Sequence, residues 1–226
     1  MNLMTGIKRQ LLPAVILMVV LTLALGIVYP LLITGIGQVA FPGNSNGQQI
    51  HLNGKLVGSK LIGQQFTDVV LGKNGKPKLD SDGNPVTTPD PRYFQSRPSG
   101  TVPAYNAAAS TFANLGPNDL ATKQAIQANE KTYLTLNAKY DPGLTISKIP
   151  VDAVDTSASG LDPDISQANA WIQAHRIAAV RHLPLATVNQ LISKYTGGRG
   201  LGFSGEPTVN VLELNLALNR ISKGTA

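Results

Sequence analysis

The pattern of hydrophobic and polar positions changes about 40 residues into the chain. No Asp, Glu, Lys or Arg lies between Arg9 and Lys55, and residues 11–36 are almost entirely apolar. A helix of ~20 apolar residues crosses the ~30 Å hydrocarbon core of a bilayer and satisfies its own backbone hydrogen bonds there. The pattern therefore predicts one membrane-spanning helix over residues 11–36.

The charges beside this span predict its orientation. Lys8 and Arg9 lie directly before it, and positive residues next to a span stay on the cytoplasmic side. Residues 1–10 are thus expected in the cytoplasm and the rest of the chain outside it. A cleaved secretory signal is the alternative, but the apolar core of a signal is only ~7–15 residues long. Pro30 predicts a kink or an early end of the helix.

The pattern after the span predicts a polar linker over residues 37–54 and one α+β domain over residues 55–226. Within residues 72–91, Asn-Gly and Asp-Gly pairs and four prolines indicate an inserted hairpin or loop. The other predicted elements are a strand near 56–62, a helix over 118–138, a strand over 149–154, a helix from Pro163 or Ser166 to His182, a helix from Pro184 to Gly197, and a helix after Asn210.

Composition narrows the possible functions. The chain has no Cys, which excludes thiol catalysis, thiolate metal sites and disulfides. Beyond residue 40 there are 17 Lys and Arg against 13 Asp and Glu, scattered and with few aromatic residues between them. Nucleic-acid binding is therefore not expected.

Few residues have the spacing of a catalytic or ligand site. Ser157, Ser159 and Gly160 lie in a turn whose amides could hold an anion ahead of a helix, although helix capping explains the same residues. Ser157, His175 and Asp162 could form a hydrolase triad, but no Gly-x-Ser-x-Gly motif supports it. His175 and His182 lack a third ligand, so no metal site is predicted.

Other residues are typical of contacts with a partner. Arg97 follows Tyr93 and Phe94, and a planar cation in that setting suits a fixed ion pair or a partner contact, with an exposed loop Arg as the alternative. Tyr93 and Asp162 are further candidates for a partner contact, although the charge of Asp162 can also favour a helix N-terminus. Small residues in and after the span, Gly26, Gly35 and Gly37, allow close approach of another helix.

A set of specific segments follows the span in a fixed order. They are Gly58-Ser59-x-Leu61-Ile62-Gly63-Gln64-x-Phe66, Tyr93-Phe94-x-x-Arg97-Pro98-Ser99, Tyr105-Asn106, Asn114-Leu115-Gly116-Pro117, Thr156-Ser157-x-Ser159-Gly160-Leu161-Asp162-Pro163-x-Ile165-Ser166, Arg176-Ile177-Ala178-x-x-Arg181 and Gly205-Glu206-Pro207-x-Val209-Asn210-Val211-Leu212-x-Leu214-Asn215. In this order behind one span, they resemble the C subunit of the bacterial Kdp-type potassium-transporting P-type ATPase.

The resemblance implies a non-catalytic, single-pass subunit of a bacterial inner-membrane complex, with its main domain in the periplasm. Its implied partners are a channel-like subunit that selects potassium, a P-type subunit that hydrolyses ATP, and a small single-span subunit. ATP and potassium are then handled by the complex, and no cofactor is expected on this chain. The family's role is chaperone-like and raises the ATP affinity of the hydrolysing subunit. A domain outside the membrane could do so only through its helix and the partner subunits.

The chain departs from the family at two places. Ser110-Thr111-Phe112-Ala113 replaces the usual Ser-Gly-Gly-Ser turn, and residues 72–91 are extra. Two other functions stay open on the residues alone, namely a membrane-anchored periplasmic hydrolase and a tethered ligand-binding module.

Overall fold

The computed structural model describes residues 3–81, 83–110 and 116–224. By its internal contacts the chain divides into two units, Met1–Gln49 and Ile50–Ala226. The first unit is helical, and the second combines helices with short sheets. The predicted α+β class is thus confirmed. The Phe112 departure and the Asn114-Leu115 motif fall outside the described residues.

The first unit is one long helical run followed by a short helix. Helix α1, Leu3–Leu23, continues through a π-helical turn, Ala24–Val28, into α2, Tyr29–Ala40. Helix α3, Pro42–Ser45, follows. Pro30 therefore does not end the helix. The π turn ends at Val28, two residues before Pro30, and π turns and prolines are both places where helices kink. The helical run also extends into the segment predicted as linker.

The second unit starts with small paired strands. Strands β1, Gln49–Leu52, and β2, Lys55–Ser59, form one pair, which confirms the predicted strand near 56–62. Strands β3, Thr67–Val69, and β4, Thr87–Pro89, pair antiparallel with Thr67 opposite Pro89. Between them, bridges join Leu71 to Pro77 and Leu79 to Pro85, so the predicted excursion is a set of nested turns.

The helices carry most of the second unit. Helix α4, Leu120–Asn137, matches the predicted helix and is capped by Asp119. Helices α5, Gln167–Arg181, and α6, Leu185–Tyr195, follow as predicted, and α7, Val211–Gly224, begins after Asn210. Strands β5, Asp164–Ser166, and β6, Thr208–Asn210, pair antiparallel.

Residues 149–154 do not form the predicted strand. The structure has a 3-10 turn there, Val151–Ala153, and a second one, Ile146–Lys148, directly before it. Pro150 separates them, and a proline supplies no backbone donor for a strand ladder. Alternation of apolar residues alone did not distinguish a half-buried strand from these turns, in which Val151 is 72% exposed and the consecutive residues Ala153 and Val154 are buried.

Two apolar clusters lie in the second unit. The larger joins Phe94 to helices α5, α6 and α7 and to strand β6. Its fully buried members are Phe94, Ala170, Ala174, Ile177, Val188, Ile192, Val209, Leu214 and Leu218. The smaller joins α4 to the segment just before β5 through Tyr133, Leu144, Ala153 and Val154.

Candidate functional site

The first candidate surface is the N-terminal helix. From Arg9 to Ala40 it is long and apolar enough to cross a membrane, and it is the one such helix among the described residues. None of its 18-residue apolar window is buried. Burial of each methylene group out of water is favourable by ~0.8 kcal/mol. An exposed apolar surface of this extent therefore indicates burial in a membrane or against another protein.

The three small residues proposed for helix contacts differ in their surroundings. A Cβ built on Gly26 or Gly35 meets nothing within 4 Å, so both present open backbone surface. A Cβ on Gly37 would lie 2.8 Å from Ser45 Oγ, so Gly37 already serves a contact inside the first unit. Gly26 also lies in the π turn, where the backbone ladder is interrupted.

The second candidate surface surrounds Arg97. Its Nη1 donates to Asp162 Oδ2 at 3.2 Å, and its Nη2 donates to the carbonyl of Thr156 at 3.2 Å. Its buried Nε has no hydrogen-bond partner among the described residues. The Tyr105 hydroxyl donates to the carbonyl of Arg97, and burial raises the pKa of Tyr105 to about 12. The predicted fixed ion pair of Arg97 therefore exists, and its partner is Asp162 of the same chain.

This ion pair lies where three turns meet, which we call the Arg97 junction (residues 59–63, 97–105 and 157–163). Gly63 N donates to the carbonyl of Leu161 at 2.8 Å. A Cβ on Gly63 would lie 2.3 Å from Tyr105 Cε1 and 2.8 Å from the carbonyl oxygen of Asp162. The junction has no space for a side chain at that position.

Asp162 and the serine turn do not start a helix. Ser166, four residues later, caps α5 by accepting from Asn169 N at 3.1 Å. Between them, Asp164 lies in β5 and accepts hydrogen bonds from Thr208 and Asn210. The interpretation of Asp162 as a helix-start charge is wrong, because strand β5 separates it from the helix.

The serine turn uses its own polar groups. Ser157 Oγ lies 3.4 Å from Ser159 Oγ and accepts from Asp162 N, and Ser159 Oγ accepts from Leu161 N at 3.1 Å. Gly160 N donates to the carbonyl of Ser157 at 3.1 Å. These amides are occupied within the turn, which leaves them unavailable to an anion.

The histidines have separate roles in the fold. His175 is exposed on α5, while His182 ends that helix in a left-handed conformation with φ of 55°. Ser157 forms its hydrogen bonds with Ser159 and Asp162, neither of which is an imidazole. Among the described residues, no group of three His, Asp or Glu could hold a metal ion.

Tyr93 also contacts its own chain. Its ring stacks on Phe66 with centroids 5.5 Å apart, and the Arg181 guanidinium lies 4.7 Å from its centroid. Arg181 Nε further donates to the carbonyl of Arg92 at 2.6 Å. Tyr93 thus fixes an extended segment against α5.

A buried polar network behind this segment was missed by the sequence analysis. Arg176 is fully buried, and it donates to the carbonyls of Pro91 and Tyr93 at 3.0 and 2.7 Å. Its other partners are the side-chain oxygens of Asn137 and Gln173. Burial lowers the pKa of Arg176 to about 10. These four partners are neutral oxygens, so the cation is stabilised by dipoles.

Side-chain amides take the place of a neighbouring strand beside residues 94 and 95. Asn215 accepts from Phe94 N at 2.9 Å and donates to its carbonyl at 3.0 Å. Gln173 accepts from Gln95 N at 2.7 Å and donates to its carbonyl at 3.0 Å. We call these four bonds the amide clamp. The spacing of Asn169, Gln173 and Arg176 could have indicated these polar contacts in advance, because it places three polar side chains on one face of α5.

A cleft of about 250 Å3 opens beside Arg97 and the amide clamp. Several of its lining side chains already bond within the chain. Gln64 donates to the carbonyl of Val57, and Ser96 donates to that of Gln64. The cleft therefore gives little support to a ligand-binding module.

Comparison with known proteins agrees with the sequence resemblance. The family model for KdpC, described as the K+-transporting ATPase c chain, matches residues 11–220. A Methylococcus capsulatus protein named potassium-transporting ATPase KdpC subunit is 45% identical over 92% of this chain and 96% of its own length. KdpC subunits of Dechloromonas aromatica and Mycobacterium bovis are 43% and 42% identical over 96% and 95% of this chain, and the whole of each relative is covered. The chain therefore belongs to the KdpC family, the c chain of the K+-transporting ATPase.

Proposed function

We propose that this chain is a non-catalytic subunit of a high-affinity potassium-transporting ATPase, needed for assembly and for the ATP affinity of the hydrolysing subunit. Relatives with 42–45% identity carry the name of a potassium-transporting ATPase subunit. The observation that carries the proposal is the Arg9–Ala40 helix, whose apolar window is not buried by any part of the chain that the structure describes. Such a helix fits beside the spans of partner subunits.

The partners in this proposal are a channel-like potassium-selecting subunit, an ATP-hydrolysing P-type subunit and a small single-span subunit. The N-terminus lies in the cytoplasm, because Lys8 and Arg9 flank the span there. The second unit then lies in the periplasm of an inner membrane and covers the external potassium entrance.

A supporting role without catalysis agrees with how the reactive side chains are used. Ser157 and Ser159 bond to their own turn, and Asp162 pairs with Arg97. A hydrolase would need a serine hydroxyl within hydrogen-bond reach of a base. The chain's effect on ATP affinity is instead a coupling free energy, which arises if it binds two pump conformers unequally.

The test is purification of the complex with and without this chain. Potassium-stimulated ATP hydrolysis and the KM for ATP are measured at matched amounts of the hydrolysing subunit. We expect a higher KM for ATP, or loss of the complex, when the chain is missing. Unchanged kinetics in an intact complex lacking the chain would reject the proposal.

The orientation is tested separately, and the absence of native Cys makes single labelling sites possible. Gln10→Cys and Lys123→Cys lie at exposed positions in the first and second units. A membrane-impermeant maleimide added outside spheroplasts should label Lys123→Cys alone. Labelling of Gln10→Cys alone would reverse the orientation.

A further inference from the structure

The segment between α6 and β6 is an arm that projects from the apolar core. Thr196 pairs with Val209 at its base, and Gly197 N donates to the carbonyl of Thr208 at 2.8 Å. Gly200 and Ser204 exchange backbone hydrogen bonds of 2.7 and 2.8 Å near its end. The ten residues 197–206 are all exposed. We call residues 196–209 the glycine arm, since five of them are Gly.

The tip of the glycine arm presents two large apolar side chains. Leu201 is 91% exposed and Phe203 is 76% exposed. Both lie between the paired residues Gly200 and Ser204. No acidic residue occurs from Gly200 to Gly205.

The backbone at this tip disfavours the residue that occupies it. Leu201 has φ of 52° and is followed by Gly202 with φ of 82°. The β1–β2 turn of the same chain has nearly the same angles, φ of 51° at Asn53 and 76° at Gly54. Asn-Gly suits such a turn, because Asn tolerates a positive φ better than a larger apolar residue does. Leucine offers one property that asparagine lacks, which is apolar surface.

The second unit is tethered to the apolar helix by a short segment. Nine residues, 41–49, lie between Ala40, the end of the apolar helix, and Ile50, the start of the second unit. A fully extended chain of that length spans ~35 Å at most. The second unit is therefore held at high local concentration beside whatever bilayer the helix crosses.

The charges on the arm also suit lipid. Arg199 pairs with Glu206 at 2.8 Å, and its side chain is still 44% exposed. Arginine can keep its head group at phosphate level while its stem covers apolar surface. A tip of Leu and Phe next to Arg, with no neighbouring acid beyond the paired Glu206, is the composition of elements that enter the headgroup region.

We propose that the glycine arm dips Leu201 and Phe203 into the interface of a phospholipid bilayer. The inference rests on the membrane anchoring proposed above. The arm then forms a second attachment that limits how far the second unit can turn about its linker.

The test uses the full chain in nanodiscs of phosphatidylcholine and phosphatidylglycerol. An environment-sensitive fluorophore is attached at Phe203→Cys, and its emission is compared in discs with and without brominated acyl chains. We expect bromine to remove about half or more of the emission, since interfacial elements lie ~5–10 Å into the boundary. A probe at Lys73→Cys, beside the polar Asn74–Gly75 turn of the nested turns, should lose none.

Leu201→Asn in the Phe203→Cys background is the matched variant, because the turn geometry accepts asparagine. The midpoint temperature of thermal unfolding should be unchanged or slightly raised, and the quenching by bromine should fall at least twofold. Unaltered quenching in this variant would show that the tip residue does not drive the contact, and would overturn the proposal.

A probe at Leu25→Cys separates the two proposals. If the Leu25 probe is not quenched, the membrane anchoring itself fails. If it is quenched and the Phe203 probe is not, only the lipid contact of the arm fails. If the Phe203 probe is shielded only when the other subunits are present, the tip contacts a protein partner. That result would also overturn the proposed lipid contact.

Discussion

The carboxamide of Asn215 forms two hydrogen bonds with the backbone of Phe94, although 121 positions separate them in the chain. Both residues are almost completely buried. Backbone groups in such a place need partners, and here helix α7 supplies through one side chain what a strand would supply through its main chain. The last helix of the chain thus depends on one extended segment, and that segment depends on it.

Asn215→Ala should therefore destabilise the second unit strongly. It leaves a buried donor and a buried acceptor unpaired, at ~1–3 kcal/mol each, so we expect a loss of about 2–6 kcal/mol in the free energy of unfolding. Urea unfolding of the full chain in detergent, monitored by circular dichroism, measures this loss. Gln190→Ala on the exposed side of α6 is the control and should change stability by less than about 0.5 kcal/mol.

Asp90 should make stability sensitive to acid. Burial raises the pKa of its carboxyl, but hydrogen bonds from the side chain and backbone of Arg92 outweigh burial and lower that pKa below 3.8. A carboxyl with a lowered pKa stabilises the fold above its unfolded value of 3.8, and this stabilisation disappears as the pH falls through the folded value.

Asp90→Asn is expected to be less stable than the parent at pH 7 and to lose less stability between pH 5 and pH 3. Urea midpoints at those three pH values measure both effects. The same change at the half-buried Asp155 serves for comparison. Parallel pH profiles for the parent and Asp90→Asn would contradict the assignment.

Gly63→Ala tests the packing of the Arg97 junction. The new methyl group would clash with the Tyr105 ring and with the backbone of residue 162, and overpacking of this kind costs ~1–3 kcal/mol. Gly116→Ala is a suitable control, because a Cβ there meets nothing within 4 Å. We expect a lower melting temperature for the first variant alone.

Arg97 and Asp162 should behave as a coupled pair. Their side chains are 22% and 32% exposed, and the bond between them is 3.2 Å long. In a double-mutant cycle with alanine we expect a coupling free energy of about 1 kcal/mol, read from urea unfolding. Additive effects on stability, together with loss of the assembled complex in Arg97→Ala alone, would assign Arg97 to a partner contact.

Gly26→Leu tests the helix surface in the proposed complex. The open space beside Gly26 means that the chain alone should fold and insert as before. Contact with a partner helix would be lost, which at about 1 kcal/mol corresponds to about a fivefold fall in co-purified partner. Ala24→Leu, two residues away on another face, should retain its partners. Equal amounts of co-purified partner with Gly26→Leu and Ala24→Leu would exclude a contact at Gly26.

Local patterns predicted the helices well and the tertiary contacts poorly. Helices α4, α5 and α6 were predicted because their signals, which are the apolar spacing and the bounds Pro184 and Gly197, lie close together in the chain. The Arg97 ion pair was expected without its partner, since 65 positions separate Arg97 from Asp162. Sequence spacing has no information about which two turns will meet in space.

The errors have similar causes. Residues 149–154 alternate like a strand, but Pro150 and the packing against α4 produce 3-10 turns instead. The amide clamp was missed because Asn215 lies in an apolar run where one polar residue suggests a solvent-facing position. The partner of Asn215 is the backbone of Phe94, and the burial of Phe94 is known only from the structure.

The nested turns have a consequence for changes in chain length. They close on themselves through the Thr67–Pro89 pairing, so the two ends of the excursion stay adjacent whatever lies between them. Extra residues near Gly75 or Asn84 would lengthen a solvent-exposed tip and leave Asp90 and Phe94 in register. This region is thus where an epitope tag or a fluorescent fusion can be inserted with the least disturbance to the rest of the molecule.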